Sequence, residues 1–170
     1  MDGALVERAR AGDADAFDEL ARGSVDWVYR TAIGILGNSA DARDATQDAL
    51  ISAWRSLRSL RDVTRFDPWL QRITINAARM VARKRHVREI PITADFEPAA
   101  DSTNEVAATD FDRAFHRLPV DQRALLLEHH LDGRSVAQLA DRLGIPEGTV
   151  KSRLHAARLA LDRALHELDR

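Results

Sequence analysis

Cysteine is absent from the 170 residues, which excludes disulfides, thiolate zinc sites and a cysteine nucleophile, and fits a reducing compartment. Long apolar runs are absent too. None approaches the ~20 residues needed to cross a bilayer, so no membrane insertion is expected. The opening stretch MDGALVERARAGDADAF has acids where a secretory leader would have a basic and then an apolar segment, and the expected location is the cytoplasm. Aromatic residues make up 5% of the chain, and runs alternating at period two are few, which argues against a β-sheet. The six histidines, including adjacent His129 and His130, show no HExxH or comparable ligand spacing. No metal site and no cofactor is expected, and no internal repeat is visible.

What the chain does have is a 45% hydrophobic fraction, enough for one ordinary domain or two small ones. Its net charge of -2 conceals a strong asymmetry. Residues 1–54 carry five basic and ten acidic side chains, and residues 91–146 repeat those numbers. Between them, residues 55–90 carry ten basic and three acidic ones. A basic segment flanked by acidic ones can hold a polyanion locally while the rest of the surface repels it.

Helical spacing dominates the pattern. Phe17, Leu20, Val28, Ile35 and Leu36 form an apolar series after Asp13, and Gly37-Asn38 is a stop signal. A second helix is predicted from near Ser39, with Ala45, Ala49, Leu50, Ala53, Trp54 and Leu57 on one side and Asp44, Gln47 and Asp48 on another. A break is expected around Arg61–Thr64. A helix from about Asp67 to Arg88 follows, with Phe66, Trp69, Leu70, Ile73, Ala77 and Met80 as the inward stripe and arginines outside. Then EIPITADFEPAADSTNE has two prolines, many acids and no sustained period, and reads as a linker. Fold class is thus expected to be all-α: a domain over 1–90, a linker over 91–105 and a smaller helical domain over 106–170. In the latter, Phe111, Phe115 and Leu118 form one stripe before Pro119, and Leu125, Leu126 and Leu127 continue the core.

The stretch LADRLGIPEGTVKSRLHAARLAL carries the most specific local signal. Ser135 can cap a short helix ending at Leu143, Gly144 permits a sharp turn, and Pro146 suits the first turn of the next helix. This is helix-turn-helix grammar. At helical spacing Val150, Leu154, Ala157 and Leu161 share one side, while Lys151, Ser152, His155 and Arg158 share another. Small Ala140 lets the two helices approach closely. The outer face offers donors for phosphate oxygens and base edges, making the second helix a candidate recognition helix. An ordinary helical hairpin with solvated basic residues would look similar; the independent basic segment at 55–90 favours nucleic acid as the partner.

With these features in place, the chain resembles the extracytoplasmic-function (ECF) sigma factors, the small two-domain branch of bacterial transcription initiation factors. LPVDQRALLLEHHLDGRSVAQLADRLGIPEGTVKSRLHAARLAL resembles their region 4, and DARDATQDALISAW their region 2.2. FDPWLQRITINAARMVARKR is similar to regions 2.3 and 2.4, and ARAGDADAFDEL to region 2.1. The resemblance implies that Asp44, Gln47 and Asp48 grip the β′ clamp of core RNA polymerase. Asp48 stands where the family usually has glutamate, and Ala45-Thr46 where it has an aliphatic pair, so a weaker or differently packed interface is expected.

For the −10 element, the resemblance implies that the loop Leu60 to Arg65, with Leu60, Arg61 and Arg65, captures a flipped base after melting, and that Asn76 contacts a base. Arg72, Arg79, Arg83, Lys84 and Arg85 are suited to the DNA backbone. Trp69 falls on the apolar stripe and is expected in the core rather than as a melting wedge. For the −35 element, Lys151, Ser152 and His155 match contacting positions and Arg158 a phosphate ligand. Ala156 replaces a frequent arginine, and Gln138-Leu139-Ala140 replaces the usual Glu-Ile-Ala. Implied partners are core RNA polymerase, promoter DNA and an anti-sigma factor; no enzymatic activity is implied. Two rivals predict other features. A response-regulator-type factor needs alternating strands and helices in the first half, and a helical nuclease using Asp41, Asp44 and Asp48 needs a further metal-binding group.

Overall fold

A computed structural model describes residues 2–88, 109–130 and 133–169. Among them every regular element is helical. The chain divides into two compact units, Met1–Asp101 and Ser102–Arg170. The expected 91–105 linker lies outside the described residues.

The first unit contains α1 (Gly3–Arg10), α2 (Ala14–Leu36), α3 (Ser39–Ser56) and α4 (Phe66–Arg88). Caps fix the helix starts: Asp2, Asp13 and Asn38 each accept a bond from a backbone N–H of the first turn. The end of α2 is fixed by Gly37, which takes the left-handed conformation at φ 81 and donates its N–H to the Ile33 carbonyl. Leu20, Val28, Ala49, Ala53, Leu57, Phe66 and Leu70 are buried in this unit's core. Each fully buried large side chain contributes about 1.5–3 kcal/mol, so Phe66, Leu20 and Leu70 are among its largest contributors. A short 3-10 turn over Leu57–Ser59 precedes the expected break, and a second over Val63–Arg65 overlaps it.

Two inward assignments change in this unit. Met80 is 49% exposed and Trp54 41% exposed, although both fall near the predicted stripes. The inner face of α4 instead includes Thr74, Ile75, Ala78 and Val81, because α2 and α3 both pack on it and widen the buried arc. Trp54 lies over Phe17, ring centroids 4.9 Å apart, at the edge of the core. The helix α1 was not expected at all; its cap Asp2 lay unread in the acidic opening stretch.

The second unit contains α5 (Asp110–Arg117), α6 (Val120–His130), α7 (Val136–Leu143) and α8 (Glu147–Leu168). Phe115, Leu118, Leu125, Leu126, Leu139, Val150 and Leu154 are in its core. Phe111, expected inside, is 52% exposed and stacks on Phe115 at 5.9 Å. Ser135 caps α7 in a reciprocal box: its Oγ accepts from the Gln138 N–H, and the Gln138 side chain accepts from the Ser135 N–H. That gives Gln138 a role where the family usually has glutamate, since either side chain has an oxygen to accept this bond. Gly144, at φ 65, ends α7, and Pro146 is the cap before α8 rather than its first residue. Replacing Ser135 with alanine is expected to cost about 1 kcal/mol, read as a lower urea midpoint for this unit with binding geometry retained.

Candidate functional site

Three surfaces carry the chemistry. On α3, the buried row Ala42, Ala45, Thr46, Ala49 and Ala53 faces inward and leaves Asp44, Gln47 and Asp48 exposed together. These three, with Asp41, form one rim of an open groove whose other rim is Val81, Lys84 and Arg85 of α4. An ion pair at 3.4 Å joins Arg85 to Asp41 across it. Gln47 also borders a second, mostly apolar groove between α2 and α3, with Val25, Tyr29, Leu50 and Ile51. Sequence reasoning missed that groove. Its signal was available in Val25, Tyr29 and Ile51, which stand beside each helix's main stripe.

The substituted pair Ala45-Thr46 belongs to the interior. Ala45 is fully buried and Thr46 nearly so, its hydroxyl donating to the Ala42 carbonyl at 2.7 Å. The departure from an aliphatic pair therefore alters packing under the polar patch and, through Thr46, the floor of the apolar groove.

The second surface runs along the outer side of α4. Steps of four, three and four residues put Arg72, Asn76, Arg79 and Arg83 on one line. Arg72, Asn76 and Arg83 are exposed and Arg79 is half-buried. Lys84 is exposed off this line, on the α3 side, where it lines the groove with Asp44 and Asp48. Arg61 and Arg65 are exposed in the preceding loop, which Asp62 organises: its Oδ1 accepts from the Thr64 hydroxyl at 2.6 Å and the Thr64 N–H at 2.9 Å. Those bonds hold the Asp62 carboxyl below its usual range, so it stays ionised between two arginines. Leu60 is a correction. It is only 6% exposed and belongs to the core, while its carbonyl accepts from Arg10 at 3.0 Å, so its side chain anchors the loop and is not offered to DNA. Trp69 is buried, as expected.

The third surface is the outer face of α8. Val150, Leu154 and Ala157 are buried, and Lys151, Ser152, His155 and Arg158 are exposed. Leu161 is half-buried. The Ser152 hydroxyl donates to the Thr149 carbonyl at 2.9 Å, leaving its oxygen able to accept. A buried ion pair joins α6 to α7 in this unit, and a further charge, Arg123, is buried in α6. Glu128 of α6 accepts from Arg142 of α7 at 2.6 Å, with side chains 1% and 10% exposed. Burial lowers the Arg123 guanidinium to about 10, which still leaves it cationic at neutral pH.

No group of acidic, histidine or cysteine side chains able to hold a metal occurs among the described residues. No described helix is long and apolar enough to cross a membrane. The first unit has no strand among its described residues, unlike a phosphoacceptor domain.

Comparison with known proteins joins these surfaces. The sigma-70 region 2 family matches residues 20–88, and the sigma-70 region 4 family matches residues 108–161. The chain is 40% identical over 169 residues to the ECF RNA polymerase sigma factor SigM of Mycobacterium tuberculosis, covering 99% of this chain and 86% of that protein. It is 32% identical over 187 residues to the ECF RNA polymerase sigma-E factor of Escherichia coli, covering 99% and 96%. Among solved structures it resembles the sigma factor RpoE of Bartonella quintana, crystallised with the anti-sigma factor NepR, at TM-score 0.63 and 27% identity over 91% of this chain and 98% of that one. Family matches on both units and relatives matched along nearly their whole length lead to one conclusion: the chain belongs to the ECF sigma factors of RNA polymerase and directs promoter-specific initiation of transcription.

Proposed function

We propose that the three surfaces divide this work. Asp44, Gln47 and Asp48 bind the β′ clamp of core RNA polymerase, with the apolar groove beside Gln47 extending the contact. Arg61, Arg65, Arg72, Asn76, Arg79, Arg83 and Lys84 serve the −10 element, and Lys151, Ser152, His155 and Arg158 the −35 element. Residues 1–90 and 106–170 form the two binding domains, with 91–105 as the tether that gives them the avidity of linked sites. The protein acts in the cytoplasm and does no chemistry of its own. An anti-sigma factor restrains it, a reading supported by the Bartonella relative's complex with NepR.

The observation that carries the −35 assignment is the face of α8 just beyond the Gly144 turn, where four polar side chains stand exposed opposite a buried apolar row. Alanine at Arg158 should weaken binding on all promoters alike and lower the salt slope by about one unit. Alanine at Lys151, nearer the helix start, should cost about 1–3 kcal/mol on the preferred −35 sequence. Alanine at Asn76 should spare −35 binding and reduce open-complex formation, because a flipped base is held only after melting. Footprinting and permanganate reactivity on one promoter, with −10 and −35 variants, separate these effects. A Lys151→Ala protein whose −10 preference shifts would overturn the assignment.

A further inference from the structure

The helix α6 ends at His130, and its ring meets the recognition helix: Nε2 lies 3.4 Å from a terminal nitrogen of Arg158. Both side chains are exposed. A guanidinium can only donate, so Nε2 must accept, which requires a neutral ring with its proton on Nδ1. His129 stands edge-on to this ring at 4.8 Å and is itself anchored, its Nδ1 donating to the Arg134 carbonyl at 2.8 Å. In the free protein His130 and Arg158 are therefore an acceptor and a donor held side by side on the exposed flank of α8.

We propose that His130, from outside the recognition helix, joins Arg158 in holding one backbone phosphate of bound DNA and takes up a proton as it does so. The inference rests on Arg158 being a phosphate ligand, as assigned above. In the free protein partial burial, then the charges of His129 and Arg158, hold the ring below the usual imidazole range. Of the elements packed on α6, α8 presents Arg158 to the ring, and α7 carries Asp141 and Arg142, the latter paired with Glu128. Among the described residues no carboxylate lies within ion-pair distance of the His130 ring. A phosphate changes the balance. Its oxygens accept from Arg158 and from a protonated Nε2–H together, replacing repulsion between two cations by attraction to a shared anion.

The sign of the pH response follows. The value is depressed in the free protein and raised in the complex, so binding captures a proton. Affinity should be flat at high pH, rise as pH falls through the value of the complex, and level off below that of the free protein. Because a phosphate contact carries no sequence information, a labelled 30-base-pair duplex of mixed sequence is a sufficient probe for the full-length chain at low salt.

Wild-type protein should bind this duplex several-fold more tightly at pH 5.5 than at pH 8, with a salt slope steeper by about one unit. His130→Gln keeps an acceptor for Arg158 but cannot be protonated; it should match wild type at pH 8 and lose the part of the acid response that His130 supplies. His155, also exposed on α8, remains in both proteins and so cancels in the comparison. An acid response unchanged by His130→Gln overturns the proposal, provided Arg158→Ala weakens binding. If Arg158→Ala binds as wild type, the phosphate assignment of Arg158 fails first, and this inference with it. No measurable binding at any pH counts against both.

Discussion

Reversal of both Asp44 and Asp48 to lysine is expected to abolish co-purification with core RNA polymerase while leaving helicity unchanged. Both carboxylates are exposed, so the fold does not depend on burying them. Lysine is also a better helix former than aspartate in the interior of α3. The change places two cations where two anions stood, and like charges brought together at an interface cost several kcal/mol, equivalent to more than a hundredfold in affinity. The new lysines would also face Lys84 and Arg85 across the groove, but exposed charges there are well screened and the cost to stability stays small. Pull-down on purified core enzyme with circular dichroism of the variant separates the two effects. Retained affinity would remove these residues from the clamp contact, and the apolar groove of Val25, Tyr29, Leu50 and Ile51 would become the place to look.

Much of this organisation was legible because the signals were local. Asp13, Ser135, Gly37 and Gly144 act within a turn of their own positions, as does Asn38, which reads as part of a stop signal and serves in the structure as the cap of α3. The recognition-helix face was legible for a related reason. Val150, Leu154 and Ala157 share a side by helix geometry alone, whatever they pack on, so Lys151, His155 and Arg158 had to emerge elsewhere.

What escaped were properties set by neighbours distant in the chain. Periodicity places Met80 and Phe111 on apolar stripes, yet it cannot say where a stripe loses its covering. Leu60 sits in a loop matched to base capture, yet its side chain is an anchor, and only the Arg10 bond and the adjoining core disclose that. His130 lies more than twenty residues from Arg158, and no spacing rule connects them. Glu128 is a similar case. Its neighbours Leu125, Leu126 and Leu127 read as core, and the acid that follows them gave no sign of what it would bind.

Truncation of Glu128 to alanine is expected to destabilise the second unit by about 3–5 kcal/mol, because it takes the carboxylate from a guanidinium that is itself nine-tenths buried. Arg142→Ala should cost about as much by exposing the converse defect. Against a total stability of about 5–15 kcal/mol, either loss leaves a small unit partly unfolded at 37 °C and removes −35 binding without touching a DNA-facing residue. Urea unfolding followed on the full chain should show one transition moved to lower denaturant, with the first unit's transition in place. The paired replacement Glu128→Met with Arg142→Leu should recover most of the loss, since a buried ion pair and well-packed apolar side chains of similar volume are often near parity. A cost below about 1 kcal/mol for Glu128→Ala would mean that water reaches the pair and that α6 and α7 are held together by their apolar contacts alone. Restored stability without restored −35 binding would assign the pair a second task, fixing the angle at which α7 supports α8 and therefore the direction in which Lys151 and Arg158 meet the groove.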